Sequence, residues 1–336
     1  MNNHWRKEEK GGRAIFRLRT VQMLLLASAA LLFSGCGRRI GGETSQEAIE
    51  ASWSRGQLMT VAATERNRYQ NVYTEQIWSA ASGTGDMDFE AQLMNQIQSF
   101  FTEMTLVCAM AEEEQVELTA QETDTIGRLS REYFAQLTGG DREFLEVSQQ
   151  EIYELYSAYH RANRMVEEMT SQEDLEISDA QAKVIQVQEI VLLDENKAEE
   201  ALEALSADGA DFDAVLRQYS EKSGGTVSMG RTEEPDKLEE VAFALEQDQI
   251  SGIVEQDDVY YILKCVNAYD QEATAARKEQ MEEEKKDQVF RFLYEPFAAE
   301  HQVVYPEGLW ESVSFEGGED CRTDNFFTMY REYMGS

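Results

Sequence analysis

Proline and histidine are both scarce in this sequence, with 3 of each among 336 residues. Because proline interrupts helices, its scarcity favours long helical segments. No histidine lies between Val184 and Val266, and we expect His160 and His301 to be ordinary packing or surface residues of helical segments. The chain also lacks a glycine-rich phosphate loop, a cluster with metal-ligand spacing and a Ser/His/Asp set. We therefore expect neither a metal nor another cofactor.

Cysteine is scarce as well, which excludes a disulfide framework. Of the four cysteines, Cys108, Cys265 and Cys321 follow no metal-like or redox spacing. Cys108 falls in an apolar helical run, and Cys265 falls in a segment with strand character. We expect these three residues to be buried free thiols, with one disulfide between two of them as the alternative.

Basic residues are heavily outnumbered, with 30 Lys and Arg against 65 Asp and Glu, for a net charge of −35. Such a surface repels polyanions and argues against nucleic acid as a partner. It also repels anionic lipid, so electrostatic attraction would not hold the protein at a membrane. Solubility is the simplest explanation of this charge, and attraction of basic polypeptides is a weaker hypothesis.

The N-terminus combines a cationic stretch with a short apolar run, Val21 to Phe33. This run is too short to span about 30 Å of hydrocarbon and is typical of a signal peptide. It leads into Ser34-Gly35-Cys36, which resembles a bacterial lipobox. We predict a lipoprotein signal peptide over 1–35 and a lipidated tether over 36–46, with an uncleaved anchor as the alternative. The two lipid chains on Cys36 would hold the protein at the outer face of the bacterial cell membrane, outside the cytoplasm.

Residues 47–180 have the periodicity of helices, most clearly in the apolar positions between Phe89 and Glu113. Thr119, Ser148 and Ser178 each precede a Glu or Gln by three residues, the pattern of a capping box at a helix start. The pattern predicts an all-helical N-terminal domain of about five helices.

Residues 181–269 alternate between strand and helix patterns. Val184–Leu193 is rich in Val, Ile and Leu, and strand patterns return at Ile250–Glu255 and Val259–Val266. Because helical segments separate these strands, we predict an α/β sandwich in which helices cover a small sheet. Residues 270–336 then return to a charged helix and a tail.

Three motifs of this α/β segment occur in a characteristic order and at characteristic distances. They are a strand at Ile185–Leu192, the Tyr219–Gly225 loop with its glycine pair, and the segments Leu238–Leu245, Ile250–Val254 and Tyr260–Lys264. Together they resemble the A-S-H-I-L-V, Y-S-x…G-G and F-E-x-A-A-F-x-L…I-S-G-P-V…G-Y-H-I-I-K motifs of parvulin-type peptidyl-prolyl isomerases.

The wider arrangement resembles extracytoplasmic foldase lipoproteins of the PrsA kind and the periplasmic chaperone SurA. The resemblance implies an α+β multidomain fold with a helical chaperone-like domain at 47–180 and a parvulin-like domain at 181–269. The C-terminal helix and tail at 270–336 would pack back on the helical body. Unfolded or nascent secreted polypeptides would be the partners, and the oligomeric state stays open.

The family's catalytic positions carry other residues here. Its two strand histidines fall on Glu189 and Tyr261, and its Cys or Asp falls on Lys222. One interpretation is a retuned site in which Lys222 pairs with an acid. The other is a decayed groove on a retained fold, with these charges simply solvated.

The family's substrate-binding positions are altered too. Its pocket Met falls on Glu234 and its pocket Phe on Leu238, and Phe243 matches the family's helix phenylalanine. Because burying an ionisable group without a partner is costly, Glu234 would weaken binding of a proline ring.

The leading hypothesis is a lipid-anchored extracytoplasmic foldase whose isomerase domain is weakly active or inactive. One alternative is an active peptidyl-prolyl isomerase, and another is a non-enzymatic envelope scaffold that binds a dedicated partner. A foldase would bind its clients through apolar residues of the helical body, unless those residues form its core. The candidates are Tyr69, Tyr73, Trp78, Phe100, Phe101 and Met104.

Overall fold

The structure is a computed structural model and describes residues 46–73, 78, 89–171, 173, 175–222 and 225–335. The predicted signal peptide, Cys36 and all but the last residue of the tether lie outside the described residues. The chain forms two compact units, one of which comprises the chain up to Glu173 together with Asp287–Ser336. The other, Asp174–Lys286, is inserted into the sequence of the first. This insertion confirms the predicted α+β multidomain organisation.

The first unit is built mainly from helices. In chain order they are α1 (Arg55–Tyr73), α2 (Phe89–Glu113), α3 (Ala120–Gln136), α4 (Gly139–Leu145), α5 (Gln149–Thr170), the last part of α10 (Gln271–Glu300) and α11 (Phe326–Met334). The predicted capping boxes at Thr119 and Ser148 start α3 and α5. A third capping box, between Thr138 and Asp141, starts α4 and was not predicted.

Aromatic packing attaches the C-terminal helix α11 to this helical unit. The ring of Phe326 is fully buried and stacks on that of Tyr156, with centroids 4.1 Å apart. The Tyr156 hydroxyl also donates a hydrogen bond of 2.9 Å to the Phe326 carbonyl. The C-terminal helix therefore packs back on the helical body, as predicted.

A short strand pair within the helical unit departs from the all-helical prediction. Strand β1 (Glu47–Glu50) pairs in parallel with β6 (His301–Val304). Each strand has only four residues, and their partners lie some 250 positions apart in the sequence. A pairing of this kind leaves no local periodicity, because the hydrogen bonds come from a distant segment.

The second unit contains a four-stranded antiparallel sheet with the strand order β3-β2-β5-β4. Its strands are β2 (Val184–Leu192), β3 (Thr226–Gly230), β4 (Val254–Gln256) and β5 (Val259–Asn267). Its helices are α6 (Asp179–Ala182), α7 (Glu195–Leu205), α8 (Phe212–Tyr219), α9 (Lys237–Ala244) and the start of α10. Strand β3 follows the Tyr219–Gly225 loop and was not among the strands predicted from the sequence.

The two faces of this sheet bury separate clusters. Ile190 and Ile262 pack with α7 and α8 on one face. Ile185, Val187 and Leu263 pack with α9 on the other. Because successive side chains in a strand point to opposite faces, adjacent residues such as Ile262 and Leu263 serve different clusters.

The three described cysteines are free, with Cys265 and Cys321 buried and Cys108 partly buried. Burial raises the pKa of the Cys108 thiol to about 12 and that of the Cys321 thiol to about 11. These observations confirm the predicted free thiols. Within the described ranges, no helix has both the length and the apolar character needed to cross a membrane.

Candidate functional site

The sheet face beneath α9 carries both positions at which parvulins have histidines. In the register of β2 and β5, Glu189 pairs with Leu263 and Val191 pairs with Tyr261. Residues two apart along a strand share a face, so Glu189 and Tyr261 are diagonal neighbours, at a separation of about 7–8 Å or slightly less between their Cβ atoms. Leu263 and Tyr261 both belong to the cluster under α9. Glu189 therefore shares that face and is half-buried.

Apolar side chains gather on this face. Tyr261, Leu238 and Phe243 are each partly buried against the same small core cluster. The buried members of that cluster are Ile185, Val187, Ala242 and Leu263. The structure thus brings together three of the site residues that the resemblance to the parvulin motifs predicted.

Helix α9 is held in place by polar contacts that the sequence analysis missed. The Asp236 carboxylate caps the helix, accepting a 2.8 Å hydrogen bond from the Glu239 backbone and a 3.0 Å bond from Gln256. These bonds lower the pKa of Asp236. The buried Glu239 carboxylate in turn accepts bonds from the backbone and hydroxyl of Thr232, at 2.7 and 2.5 Å. The spacing Asp236-x-x-Glu239 is a capping signal from which this anchoring could have been predicted.

The other two predicted site residues lie at the surface. Glu234 is exposed in the loop before α9, and in the described part of the chain no hydrogen bond or ion pair involves its side chain. Lys222 is exposed beyond the end of α8. The ion pair in that loop joins Glu221 to Lys197 at 2.8 Å. Among the described residues, Lys222 forms no ion pair with an acid, as the retuned-site hypothesis would require.

The groups of this face that could transfer a proton are the Glu189 carboxylate and the Tyr261 phenol, and no histidine lies beside them in the described part of the unit. Cys265 lies on the same face, opposite Val187, but its burial raises the pKa of the thiol and keeps it protonated. Among the described residues, no three His, Cys, Asp or Glu side chains are grouped to hold a metal ion. Rotation about an X–Pro bond needs no proton transfer, only an environment that lowers a barrier of about 18–20 kcal/mol. The face can therefore bind an apolar ring, with little to stabilise a twisted amide.

His160 and His301, the two histidines among the described residues, serve packing. The ring of His160 is buried in the helical unit, with Nδ1 2.7 Å from the Tyr330 hydroxyl and Nε2 3.3 Å from Glu122. His301 stacks on Phe297 and contacts its carbonyl at 2.8 Å. Both roles agree with the sequence prediction.

Family comparison agrees with this geometry. The family model described as "Rotamase: PPIC-type PPIASE domain" matches residues 172–267. Foldase protein PrsA of Streptococcus sanguinis is 36% identical over 84 residues, which cover 21% of this chain and 25% of that protein. Foldase protein PrsA 4 of Bacillus cereus is 31% identical over 126 residues, covering 34% of this chain and 45% of that protein. The matched segments thus span less than half of each relative.

Solved structures of PrsA proteins are also similar to this chain. The crystal structure of PrsA from Bacillus cereus is 19% identical, covers 75% of this chain and 97% of its own, and has a TM-score of 0.36. That from Streptococcus pneumoniae is 22% identical, covers 75% and 99%, and has a TM-score of 0.26. From the family model and the sequence relatives, the chain contains a parvulin-type isomerase domain and resembles PrsA foldases.

Proposed function

We propose that the protein is a lipid-anchored extracytoplasmic foldase that holds unfolded secreted polypeptides, with an isomerase domain that is weakly active or inactive. One observation carries this proposal. Leu238 and Tyr261 pack partly buried against one apolar cluster of the parvulin-type domain, while Glu189 stands where the family has a strand histidine. Client holding is then the task of the helical unit.

Three of the client-binding candidates named from the sequence are core residues. Phe100, Phe101 and Met104 are buried, so they offer no surface to a client. Tyr69 and Trp78 are partly buried against the same core. The prediction of client binding is therefore wrong for Phe100, Phe101 and Met104, because the apolar face of a long helix such as α2 packs inward.

A different apolar surface lies on helix α10. The side chain of Phe292 is 78% exposed and that of its neighbour Leu293 is 40% exposed. With the exposed Pro296 they form a stripe at helical spacing, whereas Phe290 on the opposite side of the helix is buried in the core. An exposed apolar stripe of this kind is typical of an interaction surface.

The charges beside the stripe indicate which segments it would hold. Glu295 is exposed between Leu293 and Pro296, and the chain carries a net charge of −35. Apolar segments flanked by basic residues complement such a surface, since opposite charges favour encounter. Unfolded polypeptides of that composition are therefore the proposed clients.

Suppression of client aggregation tests this role. The soluble protein that begins at Gly37 should slow light scattering of a basic unfolded protein, and Phe292→Ser with Leu293→Ser should abolish most of that effect. Leu193→Ser is the control, because Leu193 is an exposed apolar residue of the α/β unit, with 67% of its surface accessible. Equal loss in both variants, or no suppression by the unmodified protein, would contradict the proposal.

Anchoring is tested separately in cells. Cys36 should incorporate a labelled fatty acid and keep the protein in the membrane fraction, and Cys36→Ser should remove the label. A protein that stays unlabelled with Cys36 intact would show that the lipid anchor is wrong.

An active isomerase is the second candidate. The apolar cluster that Leu238, Tyr261 and Phe243 share favours it, because the reaction needs no acid or base. It predicts catalysed cis–trans exchange that falls when Leu238 is changed to Ala.

A further inference from the structure

Two cationic side chains surround a single aromatic ring in the parvulin-type unit. The guanidinium carbon of Arg231 lies 4.8 Å from the centroid of the Phe243 ring, and the ammonium of Lys183 lies 5.8 Å from it. The backbones of the two cations are also joined, because the Arg231 amide donates a 3.1 Å hydrogen bond to the Lys183 carbonyl. Cation–π contact therefore fixes both charges beside one ring.

A third cation, Arg277 at the start of α10, reaches the same place. Its guanidinium donates a hydrogen bond to the Arg231 carbonyl. It also fills the space beside Gly230, where a β-carbon would lie 1.3 Å from its Nη1 atom. The glycine thus admits Arg277 to the end of β3, next to Arg231.

The three cations have no ion-pair partner within the described part of the chain, although acidic residues outnumber basic ones by more than two to one. Two other cations of this unit form ion pairs, Lys278 with Asp179 at 3.2 Å and Lys197 with Glu221. Two acids of this unit are engaged by other groups: Glu239 accepts bonds from Thr232, and Asp270 accepts one from Gln186. Glu233 and Glu234, which follow Arg231 in the sequence, are exposed and pair with none of the three cations among the described residues. We expect three unpaired cations held together to be complemented by an anion from outside the chain.

We propose that Lys183, Arg231 and Arg277 form a carboxylate subsite for acidic residues of the polypeptides that bind the prolyl pocket. This inference rests on the proposed client-binding function. Phe243 belongs to the same cluster as Tyr261 and Leu238, so a peptide on this face meets both the pocket and the cations. An arginine stacked on a ring keeps its N–H edge free for a bidentate bond to a carboxylate. A polyanion fits this subsite less well than a single carboxylate does, because the net charge of −35 on the protein repels every charge along the polyanion.

The preference is measurable by NMR titration with short peptides that contain one X–Pro bond. A single Glu is moved along the peptide on either side of the proline, and each peptide is compared with its Gln and Lys counterparts. At low salt, the best-placed Glu should bind about tenfold more tightly than Gln, and the difference should shrink as salt rises. Arg231→Gln and Lys183→Gln should each bring the ratio of Glu-peptide to Gln-peptide affinity down toward one.

The matched control is Lys264→Gln. Lys264 lies in the same sheet but contacts Phe212, which belongs to the cluster on the opposite face, so its loss should leave the preference intact. The amide spectrum of each variant verifies that the unit is folded.

Equal affinity for Glu, Gln and Lys peptides would overturn the subsite and leave the proposed function standing. Failure of every prolyl peptide to bind would also overturn the subsite, whereas client holding by the helical unit is decided by the aggregation assay. Arg231-dependent binding to phosphatidylglycerol vesicles without a Glu preference would assign the cations to a lipid headgroup and overturn the carboxylate subsite.

Discussion

Removal of the Asp141 carboxylate should destabilise the helical unit strongly. Asp141 is 2% exposed and lies at the start of α4. One carboxylate oxygen accepts backbone hydrogen bonds from Arg322 at 2.6 Å and Thr323 at 2.9 Å. The other accepts bonds from the backbone and hydroxyl of Thr138, at 2.8 and 2.6 Å. A single side chain thus caps a helix and holds the segment that leads into α11.

The cost of Asp141→Ala follows from the donors that it leaves unpaired. Two backbone N–H groups, of Arg322 and Thr323, lose their acceptor, at about 1–3 kcal/mol each. Loss of the cap at Thr138 adds about 1 kcal/mol. We therefore expect the free energy of unfolding to fall by about 4 kcal/mol.

Urea unfolding followed by tryptophan fluorescence measures this loss. Trp53, Trp78 and Trp310 all lie in the helical unit, so in the protein that begins at Gly37 the signal reports that unit alone. The matched control is Asp124→Ala on α3, where the side chain is 73% exposed and pairs with Arg128 at 3.3 Å. Its effect should stay within about 0.5 kcal/mol. A loss below about 1 kcal/mol for Asp141→Ala, at an unchanged dependence on urea, would refute the reasoning.

Three further predictions concern the same region. Burial opposes ionisation of Asp141, but its hydrogen bonds outweigh burial and lower its pKa. The stabilisation that the ionised Asp141 contributes is therefore complete above its unfolded pKa of about 3.9 and is lost as pH falls through its folded pKa. The urea midpoints of the unmodified protein and of Asp141→Asn should accordingly converge below about pH 4. Gly140→Ala should cost about 2 kcal/mol in urea, because its β-carbon would lie 2.5 Å from the Asp320 carbonyl oxygen, whereas Gly139→Ala, with nothing within 4 Å, should not destabilise. Phe326→Ala should lower the free energy of unfolding, measured by thermal denaturation, by about 3–5 kcal/mol, and a loss below about 1 kcal/mol would contradict the docking of α11.

Local signals in the sequence predicted the elements that depend on local interactions. The capping boxes at Thr119, Ser148 and Ser178 each begin a helix, because a side chain three residues away satisfies the cap. The β1–β6 pair and strand β3 were missed, since their hydrogen bonds come from other strands and their residues show no period.

The site was predictable to the extent that strand register determines it. Alternation along β2 and β5 places Glu189 and Tyr261 on one face, as the motif alignment implied. The contacts of Arg231 and Lys183 with Phe243 were not predictable, because they depend on how the β3–α9 loop folds over the sheet. The same holds for the client candidates on α2, whose exposure depends on packing by distant helices.

The measurement that tests the central claim most directly is cis–trans exchange by NMR on a panel of X–Pro peptides with the folded soluble protein. Uncatalysed exchange takes tens to hundreds of seconds, so modest catalysis is visible. We expect little or no acceleration, and Tyr261→Phe and Leu238→Ala should change the rate by less than about twofold. Clear acceleration that falls in both variants would contradict the account and identify an active isomerase.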